Sequence, residues 1–207
     1  MEKPLSTTID QVRELLSRFQ EGYAQRDLGR LDEFMDLFTS TEDLEVIGTN
    51  AVAPGEGEWC QGREAVRELV AGDWEHWGDV RFDVQNARIS FHGNVAWLAT
   101  TGSVTDTIPA EECCTGYLDF VEGKLEEGQL SPQARMLEIL RLGTDILLGI
   151  QQGERYVWPF RFTAVAVREA GGWRFHQVQY SFPTTRAPDV RHGAEAAISQ
   201  AESQVSG

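Results

Sequence analysis

One run of ionisable groups, Asp73-Trp74-Glu75-His76-Trp77-Gly78-Asp79, sets three carboxylates around a single imidazole. Carboxylates so placed raise a histidine's pKa and make it a base near neutral pH. The same run equally fits a solvated helix end, and both readings stand. The tryptophans are the second chemical feature. Six of them, Trp59, Trp74, Trp77, Trp97, Trp158 and Trp173, are many for 207 residues. Indoles favour places where an apolar body and one polar group both need partners, so they fit either a ring-lined apolar pocket or ordinary core packing. Arg161 lies between Phe160 and Phe162, where a guanidinium can stack on a ring, hold a carboxylate or pair with a surface acid. Tyr23, on the inner stripe of the first helix, is a hydrogen-bond donor to a ligand.

Other chemistries find no support. Cys60, Cys113 and Cys114 show no CxxC spacing, and His76, His92, His176 and His192 are scattered, so neither a disulfide framework nor a metal site is expected. There is no glycine-rich phosphate loop, Ser-His-Asp order or nucleophile elbow. No cofactor is implied.

The elements that must carry these residues follow from periodicity. Ile9, Val12, Leu15, Leu16, Phe19 and Tyr23 form a helical stripe, with Thr8 and Gln11 as a capping box ahead of it. Asp27 caps a second helix bearing Leu28, Leu31, Phe34, Met35 and Phe38. A short strand follows at Leu44–Gly48, a Pro/Gly loop at Asn50–Gly57, and a third helix from Gly62 with Ala65, Val66, Leu69 and Val70 inward. The period then becomes two. Val80, Phe82 and Val84 share one parity while Ile89 and Phe91 take the other, which places a bulge or bend within Gln85–Arg88. Val95–Val104, Pro159–Arg168 and Trp173–Phe182 are long strands. Strict alternation puts Trp173, Phe175, Gln177, Gln179 and Ser181 on one face of the last strand, and Arg174, His176, Val178 and Tyr180 on the other.

Residues 105–157 interrupt this pattern. Ser131-Pro132 opens a helix there, carrying Met136, Leu137, Leu140, Leu147 and Ile150, with Gly143 and Gly149 weakening its second half. Residues 1–185 are read as one domain with this insertion, and 186–207 as a polar, partly disordered tail.

The length suits one domain, and 18 basic against 33 acidic residues give a net charge of −15. Such a balance opposes phosphate backbones and anionic lipid surfaces, so neither nucleic acid nor membrane is an expected partner. The start lacks a signal-peptide core and no apolar run is long enough to span a bilayer, which reads as a soluble, cytoplasmic protein.

Two helices, a third after Gly62-Arg63-Glu64-Ala65-Val66, and hairpins ending in Gly172-Trp173-Arg174-Phe175-His176-Gln177-Val178-Gln179-Tyr180-Ser181-Phe182 resemble the nuclear transport factor 2-like superfamily. Within it, the chain is most similar to the SnoaL-like domain group that includes the association domain of calcium/calmodulin-dependent kinase II. The likeness covers residues 8–104 and 158–183. It implies an α+β cone: a strongly bent, mixed or antiparallel sheet packed on three N-terminal helices, here with a helix inserted between the two hairpins. It also implies a cavity at the open end and homodimerisation through the convex face of the sheet.

By the same resemblance Gln177 and Gln179 point into the cone, where buried amides orient a ligand without moving protons. Superfamily enzymes use Asp, His or Tyr in the cone, and Tyr23, Asp27, Asp73, His76, Asp119 and His176 are the corresponding candidates. Asp27 is also explained as a helix cap and His176 as an interface or surface histidine. The expected function is a homodimeric module binding a small apolar molecule through Tyr23, Trp59, Trp74, Trp77, Trp97, Trp158, Gln177 and Gln179. The alternative is a small-molecule isomerase, lyase or cyclase, with helix 131–152 as a lid.

Overall fold

The computed structural model describes residues 5–107, 109–126, 130–151 and 155–182. Helix α1 (Leu5–Gln25) buries Val12, Leu15, Leu16, Phe19 and Tyr23, the stripe that three- and four-residue spacing places on one face. It is already helical at Leu5, so Thr8 lies inside the helix, buried, rather than capping it. Arg26 ends it in the left-handed region at φ 50°, its N–H bonded to the Gly22 carbonyl at 2.9 Å. Asp27 is a cap as expected: its carboxylate accepts from the Gly29 N–H at 3.0 Å. The helix it opens is shorter than the pattern suggests. A 3₁₀ turn (Leu28–Arg30) leads into α2 (Leu31–Met35), because the backbone beyond is taken into the sheet. Phe175 N–H donates to the Leu37 carbonyl at 2.8 Å, and Thr39 N–H donates to the Phe175 carbonyl at 2.9 Å.

After β1 (Glu45–Ile47) and β2 (Trp59–Gln61) comes α3 (Gly62–His76), which turns Val66, Val70 and Trp74 inward. The remaining strands are β3 (Asp79–Phe82), β4 (Arg88–His92), β5 (Val95–Thr107), β6 (Arg155–Glu169) and β7 (Gly172–Ser181). They form one mixed sheet in the order β2-β1-β7-β6-β5-β3, with β4 also on β5. The β1–β7 pair is parallel and the β1–β2 pair antiparallel. Both β3 and β4 pair with β5, β3 at Gly102–Thr105 and β4 at Val95–Ala99. The odd step expected between them is the turn at residues 83–87. The Asp83 carboxylate accepts from the Asn86 side chain at 3.0 Å, and Arg13 of α1 donates to the carbonyls of Val84 (2.6 Å), Gln85 (2.9 Å) and Ala87 (3.3 Å).

A second odd step was absent from the alternation read in the sequence. Val165 pairs with Gln177 but Ala166 pairs with Phe175, so His176 is an extra residue, a bulge. Trp173 and Phe175 before it, and Val178 and Tyr180 after it, are therefore all buried on the inner face. Gln177 and Gln179 are on the outer face, which corrects the expectation that they enter the cone. The interior is filled by rings centred on Phe19, whose centroid lies 5.1–5.9 Å from those of Tyr23, Phe34, Phe38, Phe82, Phe162 and Phe175. Gly102 makes room for this layer: a Cβ there would stand 2.3 Å from the Phe160 ring.

Helices α1–α3 and the strands, apart from the end of β5 and the start of β6, form one compact unit, and Asp106–Tyr156 belongs to a second. The second contains two helices where one was expected, α4 (Ala110–Glu126) and α5 (Pro132–Gln151). α4 follows Pro109 and carries Glu111 and Glu112 in its first turn, where carboxylates favour the helix dipole. Ser131 caps α5, its hydroxyl accepting from the Ala134 N–H at 3.2 Å. α5 runs through Gly143 without fraying, because the missing side chain leaves room for the Tyr117 hydroxyl, 2.7 Å from where a Cβ would be. No described helix is long and apolar enough to cross a membrane. The expected tail, 186–207, lies outside the described residues.

Candidate active site

Asp73 is the one carboxylate of the Asp73–Asp79 run that turns inward. It sits one helical position before buried Trp74, and its Oδ2 accepts the Tyr23 hydroxyl at 2.7 Å. Burial lifts Asp73 from the ordinary value of 3.8 to about 6. The Tyr23 hydrogen bond and the Arg26 charge work against that rise, and the Glu58 charge adds to it. An aspartate at about 6 exchanges its proton at neutral pH. Tyr23 is pushed well above 10.0 by burial, then by Tyr180 and Asp73, and so remains a protonated donor.

Tyr180, brought inward by the bulge at His176, is the third member. It too is raised well above 10.0, by burial and then by Asp73. Its hydroxyl interacts with that of Tyr23, whereas the buried Trp74 indole N–H has no hydrogen-bond partner among the described residues. Trp77 stands edge-on to both tyrosines, its centroid 6.3 Å from Tyr23 and 5.6 Å from Tyr180.

Arg26 locks the two helices that carry this group. Its guanidinium donates to the carbonyls of Tyr23 (3.1 Å), Trp77 (2.5 Å) and Gly78. The left-handed backbone at Arg26 costs roughly 1–2 kcal/mol in a non-glycine residue, and these three bonds, one to α1 and two to the link between α3 and β3, offset it.

The other candidates lie elsewhere. His76 is exposed beside Glu75 at 3.7 Å, so the imidazole base does not face the interior. Asp119 is exposed on α4. His176 fills its bulge between Thr39, 3.3 Å from Nδ1, and Asp43, 3.7 Å from Nε2. Arg161 donates to the Phe182 carbonyl at 2.8 Å rather than to an acid.

Of the eight residues expected to bind ligand, Tyr23, Trp74 and Trp77 come together at Asp73. Trp59 and Gln177 meet on the outer face instead, at Glu45. Its Oε1 accepts from Gln61 (2.9 Å) and Trp59 (3.3 Å) and its Oε2 from Gln177 (3.1 Å). Hydrogen bonding by Gln61, and then by Gln177 and Trp59, outweighs burial and holds Glu45 below the usual carboxylate range. Gln179 and Trp97 are exposed, Trp97 by 51%. Trp158 is 37% exposed.

Arg88, Trp97, Thr163 and Gln177 line a depression of about 340 Å³ on the outer face. A smaller one of about 130 Å³ runs along α1 past Arg18, Gly22 and Phe34 to Trp74. Neither is lined by Tyr23.

Tyr180 was missed because strict alternation sent it outward. A signal was present: the apolar residues of the last strand fall at 173, 175, 178 and 180, and that shift of parity marks a bulge. Among the described residues no group of three or more His, Cys, Asp or Glu is placed to hold a metal ion.

A mixed sheet packed on three helices is the fold of the nuclear transport factor 2-like class. Solved structures of this class share the fold at low identity. A Streptomyces avermitilis protein provisionally titled a dehydratase of that family is 15% identical at a TM-score of 0.55, over 88% of this chain and 100% of its own. A Salmonella enterica serovar Typhimurium superfamily member is 13% identical at 0.55, over 90% and 99%. A Novosphingobium aromaticivorans protein provisionally titled an aromatic ring hydroxylase is 11% identical at 0.52, over 92% and 98%. The SnoaL-like domain model matches residues 12–123, more than half of the chain, and the protein belongs to that family. No curated protein matches it.

Proposed function

We propose that the protein binds a small, largely apolar molecule beside Trp77 and moves a proton on it with Asp73, as an isomerase or lyase. The observation that carries this reading is the Asp73–Tyr23 pair: a carboxyl lifted to about 6 by burial and bonded at 2.7 Å to a neutral phenol. Oδ2 is engaged by Tyr23, and Oδ1 takes no hydrogen bond from the described residues. Oδ1 is thus the atom that accepts a proton from carbon. The Trp74 indole N–H is a buried donor with no hydrogen-bond partner among the described residues, the kind of group that stabilises an oxyanion developing on the substrate. In an isomerisation the proton returns to another carbon of the same molecule. In an elimination it leaves with hydroxide as water, the reaction class in the provisional title of the Streptomyces avermitilis neighbour.

Binding without catalysis is the second reading. It is favoured by the close packing of Tyr23, 2% exposed among Phe19, Phe34 and Phe82. One experiment separates the two. A panel of cyclic ketones is incubated with the protein in deuterated buffer, and deuterium uptake at the carbon next to the carbonyl is followed by NMR. Catalysed uptake that disappears in Asp73→Asn supports proton transfer. Saturable binding with no uptake above buffer, unaltered by that substitution, supports the second reading.

A further inference from the structure

The depression on the outer face of the sheet has walls and a floor that strand pairing sets. Arg88 of β4 pairs with Ala99 of β5, and Ser90 with Trp97. Arg88 and Trp97 are therefore diagonal neighbours, about 7–8 Å apart. The other two corners of that square, Ser90 and Ala99, are small. Two long side chains thus stand over a low floor that Thr163 and Val165 of β6 continue. At the far end Gln177, paired with Val165, is held by its bond to Glu45 at 3.1 Å. At about 340 Å³ the space lies within the roughly 300–1,000 Å³ of small-molecule sites.

The chemistry of this lining is one-sided. In a chain of net charge −15, Arg88 is the only charged residue among the described residues that line the depression. Its side chain is exposed and makes no hydrogen bond or ion pair with the described residues. Glu45 stands on β1, four strand spacings or about 19 Å along the sheet from β4, well beyond a screening length of about 8 Å. Its charge is already met by Gln61, Trp59 and Gln177. Trp97 is 51% exposed, because its cross-strand partner Ser90 is too short to cover the ring.

These groups select the occupant. A guanidinium fork takes a carboxylate through two parallel hydrogen bonds, and an indole face takes an aromatic ring by offset stacking. We propose that the depression binds a small planar aromatic acid, its carboxylate on Arg88 and its ring against Trp97. The site is separate from Asp73, which lies on the inner side of the sheet. A second copy of the chain on this face answers Arg88 less well. A two-fold contact centred on the depression sets Arg88 against Arg88, with no carboxylate in either lining.

The test is a titration of the full chain with naphthoate, following the Trp97 indole N–H by NMR, with naphthylmethanol as the neutral counterpart. The Trp97 signal is assigned by its loss in Trp97→Phe. The acid is expected to shift that signal saturably, and the alcohol to bind at least about tenfold more weakly. Arg88→Met is expected to bring the acid down to the level of the alcohol. Arg88→Lys is expected to recover only part of the loss, because an ammonium cannot make the paired bonds. An unchanged near-ultraviolet spectrum shows that both variants fold, and Asp73→Asn is expected to leave naphthoate affinity as it was. Equal binding of acid and alcohol, or an Arg88→Met protein that binds like the wild type, overturns the proposal. So does naphthoate binding that is lost in Asp73→Asn, which puts the ligand in the interior. A Trp97 signal that moves with protein concentration and not with naphthoate overturns it as well, and puts a second copy of the chain on this face.

Discussion

Replacing Asp73 with Asn changes the stability of this protein in a pH-dependent way whose sign follows from where the carboxyl sits. The folded state raises Asp73 from 3.8 to about 6, so between those values it holds a proton that the unfolded chain has released. Folding is then favoured by protonation. The contribution is complete below pH 3.8 and is lost as pH rises through 6. At about 1.4 kcal/mol per unit, the full loss is roughly 3 kcal/mol. Asp73 is not wholly shut from solvent, so a working range is about 1–3 kcal/mol. Asparagine cannot ionise, and its side-chain oxygen still accepts the Tyr23 hydroxyl. Asp73→Asn should match the wild type near pH 4 and exceed it at pH 8. At roughly 2–4 °C per kcal/mol for a chain of this size, a gain of about 2–12 °C in Tm is expected at pH 8. Thermal unfolding of both proteins at half-unit pH steps gives the difference directly and cancels every other carboxylate. Equal melting curves at all pH values, or a variant that is less stable at pH 8, would show that the buried charge does not govern this site.

Three further outcomes follow from the geometry. Arg26→Met removes the donor that ties Tyr23 to Trp77 and Gly78, and charged donors of this kind contribute about 1.5–3 kcal/mol each. Chemical denaturation should show a loss of at least about 2 kcal/mol, and the Asp73 carboxyl carbon should titrate higher by NMR once the Arg26 charge is gone. Gly102→Ala drives a methyl group into Phe160 and should cost about 1–3 kcal/mol, whereas Gly93→Ala meets no atom within 4 Å and pays only for its φ of 59°. Gln179→Ala lies on the exposed face and should move stability by less than about 0.5 kcal/mol, leaving any deuterium uptake unchanged. A large effect on that uptake would return Gln179 to the interior and contradict the register of β7.

Much of the fold was legible because the first helix, the third helix and the long strands each have a period that leaves one choice of buried face. The turn at residues 83–87 could be placed for the same reason: Val80 and Phe82 against Ile89 and Phe91 require an odd step. Two features were not read. α4 is acidic and weakly amphipathic, and only the second helix beside it, with Tyr117 set against Gly143, reveals what it packs on. The His176 bulge was written in the parity of Trp173, Phe175, Val178 and Tyr180. Strict alternation hid it, and one unseen residue reversed the faces of the two glutamines and of Tyr180.

Sequence alone determined which side chains have to be buried, and hence the helical stripes, the strand parities and the inward position of Tyr23. Those are local properties, set by backbone period and hydrophobicity within a few residues. Tertiary structure decided that Asp73 meets Tyr23 and Tyr180, fifty or more residues away in the chain, and that His76 does not. It also set the proton affinity of Asp73, because a carboxyl's pKa depends on the water and charges around it, and folding alone arranges those.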